Sequence, residues 1–266
     1  QQTRTVAMVQ GAVHDALNAI KPRYTAYYYE ATAAAGAVPE AAVAAASRTV
    51  LVAVIPSFGQ PPQRTDALAM VEEAYRAALA GIPDSPGKAN GIAVGQAAGE
   101  AMLALRKDDG ATRSAPYTPV NAPGRWRPHP NPDPPNPPIK DPKAAPGMAA
   151  SALPGWGNVT PFVLLSASQY WSPAPPALTS TQYAKDFNEV KSVGGQVSTV
   201  RTSEQNEIAR FWFEGPGSWY RVARAASEAR GLDSWDSARA LAGVSFAMAD
   251  GYIAGFKIRY VYDFWR

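Results

Sequence analysis

From Ser237 to Gly255 nearly every residue is small or apolar, with Asp250 the only acid and Arg239 the only base. A helix that is apolar on all sides cannot face water, so this stretch reads as a central helix with other helices packed around it. The rest of the chain supplies them. Thr5 to Ile20 places Val6, Val9, Val13, Ala16, Leu17 and Ile20 at helical spacing, and Pro22 ends the run. Glu40 to Ile55 is a second helix, stopped by Pro56. Thr65 to Leu79 is a third, with Leu68, Val71, Tyr75 and Leu79 at three- and four-residue steps. Ser85 and Pro86 give an N-cap and first-turn proline for a fourth helix, running to about Lys107 with Asp109-Gly110 as its stop. Thr179 or Ser180 caps the next, which ends at Gly194-Gly195. Thr202-x-x-Gln205 is a capping box opening a helix through Trp212. Gly215-Pro216-Gly217 breaks it. Another helix covers Ser218 to Arg230, and a last one starts at Ser234 or Asp236 and continues to the end of the sequence. Alternating β-branched runs are scarce, so the expected fold is all-α, a packed antiparallel helical bundle.

Residues 116–146 interrupt this pattern. They hold 12 of the 25 prolines, a density that excludes regular helix. A linker between domains is one reading. Tyr117, Trp126, Trp156 and Phe162, interleaved through and just beyond the segment, favour the other, a proline-rich extended segment packed on the body. The expected layout is N-terminal helices over 1–115, the extended segment over 116–160 and C-terminal helices over 161–266.

Composition narrows the function. At 46% hydrophobic and 18% charged residues the chain is a folded globular one rather than a disordered one. A net charge of +3 with no run of five basic residues gives no reason to expect a nucleic-acid partner. With no cysteine, disulfides, thiolate metal sites and a cysteine nucleophile are excluded. No uncharged apolar run reaches 18 residues, so no membrane span is expected. His14 and His129 are the only histidines. His14 stands beside Asp15, but adjacent helical residues point about 100° apart, so a structural role is expected. His129 reads as an exposed loop residue. Asp108-Asp109-Gly110 reads as a helix end, not a calcium loop, and no cluster has metal-ligand spacing. Lone serines such as Ser218 have no partnered base.

The last helix becomes charged at its end: Phe256-Lys257-Ile258-Arg259-Tyr260-Val261-Tyr262-Asp263-Phe264-Trp265-Arg266. Arg259 and Arg266 are seven residues apart, about two turns, so a continuous helix puts both on one face, with Asp263 between them. One reading is a surface salt-bridge ladder, which contributes little. The other is a two-arginine clamp for a tetrahedral oxyanion, which guanidinium forks match bidentately at any working pH. Lys257 lies 200° around the helix from Arg259 and is a weaker candidate.

Arg259-x6-Arg266, with intervening aromatics and a terminal Phe-Trp-Arg, resembles the first signature, Lys-x6-Arg-Pro, of the vanadium-dependent haloperoxidase and type 2 phosphatidic acid phosphatase superfamily. Upstream stretches resemble bacterial members in order: His14 to Ile20, Gly124-Arg125-Trp126-Arg127-Pro128, Trp156-Gly157, Pro161-Phe162, Pro175 to Ser180, Asn188-Glu189-Val190, Arg201-Thr202-x2-Gln205, Ala209 to Trp212, and Ala249-Asp250. The resemblance implies that Arg259 and Arg266 hold oxygens of vanadate, or of phosphate in the phosphatases, as both catalytic and cofactor-binding residues. It implies halide and peroxide, or a phosphate ester, as small-molecule substrates, and a periplasmic or secreted location. Arg259 stands where the family usually has lysine, and Phe256 where it often has tryptophan. The family's later Pro-Ser-Gly-His and Ser-Arg-x3-Gly-x-His segments, with the histidine that bonds the metal or attacks phosphorus, have no counterpart here. The expectation is therefore an N-terminal portion that is completed by a missing C-terminal segment or chain and is inactive alone, with a non-catalytic phosphate-binding protein as another reading and a homo-oligomer left open.

Overall fold

The computed structural model describes residues 1–57, 61–113, 115–118, 120, 122–126, 153–213 and 215–265. His129, Arg266 and most of the proline-rich segment lie outside them. The regular elements are α1 (Gln2–Ile20), α2 (Pro39–Val54), α3 (Pro61–Ala80), α4 (Pro86–Leu105), α5 (Thr181–Val193), α6 (Ser203–Phe213), α7 (Pro216–Ala229) and α8 (Ser234–Tyr262), with short 3-10 turns at Ile55–Ser57 and Trp156–Asn158. Among the described residues the fold is all-α. One isolated antiparallel bridge joins Arg125 and Phe264.

Local chemistry explains the boundaries. Lys21 is extended (φ −141°, ψ 106°), as a residue before proline must be, and α1 stops there. The Ser85 hydroxyl accepts the Lys88 N–H at 3.1 Å, and the Ser180 hydroxyl accepts that of Tyr183 at 3.1 Å. The capping box closes in both directions: Gln205 N–H donates to Thr202 Oγ1 at 3.1 Å, and Thr202 N–H to Gln205 Oε1 at 2.9 Å.

The chain forms two compact units, one of Gln1–Asp109 with Trp219–Ala249, the other of Gly110–Ser218 with Asp250–Arg266. In the first, α2 packs against α1, α3 and α4. Every residue of α1 from Gly11 to Ala19 is buried. It is α1, not α8, that is enclosed on all sides. Its polar residues are tolerated because they are paired. Asp15, 1% exposed, accepts three consecutive backbone N–H groups, from Tyr27 (2.6 Å), Tyr28 (2.9 Å) and Tyr29 (2.8 Å). His14 Nε2 meets the Thr25 carbonyl at 3.1 Å, and Asn18 Oδ1 accepts the N–H of Tyr24 at 2.8 Å.

On α8 the expected all-round burial is half met. Ala238, Ala242, Ser245, Phe246, Ala249, Asp250 and Ile253 are buried. Arg239, Gly243, Ala247, Gly251 and Gly255, one stripe at four-residue spacing, are exposed. Uniform apolarity cannot tell which side of a helix acquires neighbours.

The α2–α4 contact is made by glycines. A Cβ on Gly95 would fall 2.2 Å from the Ala42 carbonyl oxygen, and one on Gly91 2.3 Å from that of Val38. Only hydrogen at these positions lets the two backbones approach so closely. By length and composition Pro39–Ser57 could cross a membrane, with a mean hydropathy of 1.3. Ala41, Ala42, Ala45, Ala46 and Val50 on it are buried, as in the core helix of a globular unit.

The second unit has a core of Trp156, Val159 and Ile253, with Leu153 and Phe256 packed on it. Asp250, 2% exposed, accepts the N–H groups of Phe162 (2.6 Å), Val163 (2.8 Å) and Leu164 (2.9 Å). Trp126 and Trp156 in this unit are 3% and 4% exposed. Gly157 lies directly on α8: a Cβ there would be 2.5 Å from Lys257 Cα.

Candidate functional site

The expected continuous helix to residue 266 does not form. α8 ends at Tyr262, and Asp263 comes next with φ +48°. This left-handed conformation is disfavoured for most side chains but tolerated by Asp and Asn. Asp263 N–H still closes onto the Arg259 carbonyl at 3.0 Å, and the chain then turns away. The shared helical face that would align Arg259, Asp263 and Arg266 therefore stops before Arg266, which lies outside the described residues.

Beyond the turn the backbone forms a short clamp. Trp126 N–H donates to the Asp263 carbonyl at 2.9 Å, and Trp265 N–H to the Gly124 carbonyl at 3.0 Å, flanking the Arg125–Phe264 bridge. The side chain of Asp263 is engaged by the same strand of contacts. Its Oδ1 takes the Tyr117 hydroxyl at 2.6 Å, and its Oδ2 takes Arg125 Nη1 at 3.2 Å. The Tyr117 hydroxyl also lies 3.0 Å from the Trp126 carbonyl. Its single proton goes to the carboxylate, the stronger acceptor.

Arg259 is placed by aromatic rings. Its guanidinium carbon is 4.3 Å from the centre of the Trp126 ring, 5.6 Å from Phe256 and 5.8 Å from Tyr260. Tyr117, Trp126 and Tyr260 meet edge to face at 4.9 to 5.7 Å. Burial and the hydrogen bond to Asp263 push the Tyr117 hydroxyl far above the usual phenol range. Burial also raises Tyr260, against the pull of Arg259. Both phenols therefore stay neutral around Arg259. Lys257 serves elsewhere, donating from Nζ to Asn158 Oδ1 at 2.9 Å. Arg201, in another of the resembling stretches, donates to the Val193 (2.7 Å) and Gly195 (2.6 Å) carbonyls and closes the end of α5.

A guanidinium seated over an indole keeps its charge, and guanidinium N–H groups suit the oxygens of an anion. Aromatic walls lower the local dielectric and strengthen such a contact. Among the described residues no group of three His, Cys, Asp or Glu side chains could hold a metal ion. The charge and planar N–H groups of Arg259 fit the oxygens of a tetrahedral anion such as vanadate. Neither Tyr117 nor Trp126 could be paired with the end of α8 from the sequence. They lie 146 and 133 residues from Asp263 and Arg259, and no periodicity reaches that far.

No protein-family model matches the chain, and no curated protein does. A solved structure does, described as the first bacterial vanadium-dependent iodoperoxidase, with a TM-score of 0.69 and 23% sequence identity. The match covers 100% of this chain and 65% of that one, so the chain spans under two thirds of the length of the protein it resembles. The chain thus shares the all-α fold of that iodoperoxidase.

Proposed function

We propose that this chain is the N-terminal part of a vanadate-dependent haloperoxidase-like enzyme, with Arg259 and Arg266 holding the oxygens of the bound vanadate. The observation that carries this reading is the Arg259 guanidinium, 4.3 Å over a buried indole, on a chain with the fold of a vanadium-dependent peroxidase. When bound, vanadate supplies the centre at which peroxide becomes able to oxidise halide. The chain's own residues bind and orient it. Arg259 offers a permanent positive charge against the anion, the electrostatic part of the catalysis. The rings around it exclude water, and Asp263 is held by Tyr117 and Arg125. A ligand to the metal and an acid–base group come from polypeptide that completes the fold, so turnover belongs to the larger assembly.

The test is a titration of orthovanadate, monitored by vanadium NMR, against the wild-type chain and Arg259→Ala. Affinity falls about tenfold in the variant, roughly 1.4 kcal/mol, while the circular dichroism spectrum shows the helices intact. Equal affinity in the two proteins would sink the oxyanion reading. Assays of the completed protein with peroxide and bromide, and separately with phenyl phosphate, divide the chemistries: phosphate release without halogenation would make it a phosphatase using the same pocket.

A further inference from the structure

We infer that Trp126 is a positioning residue for Arg259: its indole face sets the plane of the guanidinium and so the direction in which that group presents its N–H donors to an oxyanion. This deepens the oxyanion reading and rests on it.

Three observations converge. Trp126 is itself held rigidly, because its N–H is bonded to the Asp263 carbonyl, its carbonyl lies beside the Tyr117 hydroxyl, and the residue is 3% exposed. Its partner rings, Tyr117 and Tyr260, approach edge to face at 5.2 and 5.7 Å and leave an indole face for the cation. Arg259 lies nearer to that ring than to either of its other two aromatic neighbours. An arginine side chain has several freely rotating bonds, and ordering it at the moment of binding is costly. A guanidinium already seated over the indole has lost part of that freedom, so less is lost per hydrogen bond made to the anion. The requirement for a flat cation also accounts for arginine at 259. A lysine ammonium is a point charge with no plane to align, and the indole face would not orient it.

The clamp gives this arrangement its long reach. Asp263 accepts the Trp126 backbone N–H at its carbonyl and the Tyr117 hydroxyl at its carboxylate, so the turn that ends α8 also delivers the indole to Arg259. The two residues are 133 positions apart, and the pairing of 124–126 with 263–265 brings them together.

A double-mutant cycle with orthovanadate as the probe tests this, comparing wild type, Trp126→Leu, Trp126→Phe, Arg259→Ala and the Trp126→Leu/Arg259→Ala pair. Trp126→Leu weakens vanadate binding about tenfold, the scale of a desolvated cation–π contact. Trp126→Phe keeps an aromatic face and stays within about twofold of wild type. In the Arg259→Ala background the leucine change has no further effect. A second readout does not depend on the anion. The Arg259 side-chain Nε–H resonance is shifted by the indole ring current in wild type, retains part of that shift in Trp126→Phe and loses it in Trp126→Leu. Should the leucine variant fail to fold, the phenylalanine variant and the resonance still decide. Additive effects of the two substitutions, or an Nε–H resonance that ignores residue 126, would overturn the positioning role and leave the oxyanion site standing. An Arg259→Ala chain that binds vanadate as well as wild type overturns both.

Discussion

Asp250 Oδ1 accepts the backbone N–H of Phe162 across 2.6 Å, from a carboxylate 2% exposed on α8. Its Oδ2 takes the next two N–H groups along the chain, those of Val163 and Leu164. Asp15 does the same for Tyr27, Tyr28 and Tyr29. In both units a buried carboxylate on a helix thus satisfies three successive donors of a non-helical segment, which would otherwise go unpaired away from water.

Removing either carboxylate should therefore cost more than an ordinary surface change. Asp250→Ala leaves three backbone donors without their acceptor and lowers stability by roughly 2–4 kcal/mol. Asp250→Asn keeps one acceptor oxygen and loses less. Urea denaturation checks both, and a loss under about 1 kcal/mol for the alanine variant would contradict the role.

Glycine position matters more than glycine number. Gly95→Ala gains about 1 kcal/mol of helix propensity. It also drives a methyl group to within 2.2 Å of the Ala42 carbonyl oxygen, on backbone that cannot swing aside. Overpacking of this kind costs about 1–3 kcal/mol, and the net effect is destabilising. Gly243→Ala on α8 is the control. It meets nothing within 4 Å and should stabilise by up to about 1 kcal/mol. Thermal unfolding of the two variants should therefore move in opposite directions.

α3 has no fully buried residue, and a bidentate pair links it to α2 beside the packing of the two helices. Arg48 Nε and Nη2 reach Glu72 at 3.0 and 2.7 Å, and the guanidinium lies 5.0 Å over Tyr75. The hydrogen bond from Arg48 holds the Glu72 carboxyl below its ordinary range. A lowered folded value means the stabilisation is present above the unfolded pKa, about 4.3, and is lost as pH falls through the folded value. The protection factors of α3 amides, taken against the intrinsic exchange rate at each pH, should fall below about pH 4. In Glu72→Gln protection should already be slightly lower at neutral pH and show no such step. An acid step that persists in Glu72→Gln would assign it to another group.

Several features were legible in the sequence because they depend on near neighbours. The caps at Ser85, Ser180 and Thr202 act over three residues, and the structure forms all three. The end of α8 was not legible. Tyr-Asp-Phe-Trp contains neither Gly nor Pro, and the stop is made by an aspartate in the left-handed region, held by Tyr117 and Arg125 from far up the chain. The buried helix was misplaced for a related reason. α1 carries His14, Asp15 and Asn18 and looks only half apolar, yet each of them has a partner inside the first unit. For the candidate site, the sequence supplied Arg259 through its resemblance to a known signature. The stack on Trp126 arises from the clamp, which no local pattern encodes.

Both units are assembled from segments distant in sequence, which has a consequence for synthesis on the ribosome. The first unit needs Trp219–Ala249 to join Gln1–Asp109, and the second needs Asp250–Arg266 to join Gly110–Ser218. α1 to α4 leave the exit tunnel early and can pair while translation continues. Trp126 emerges more than a hundred residues before the arginine it will hold. Until residues 259–265 appear, that indole has no cation and no clamp, so the aromatic seat of Arg259 is among the last parts of this chain to close.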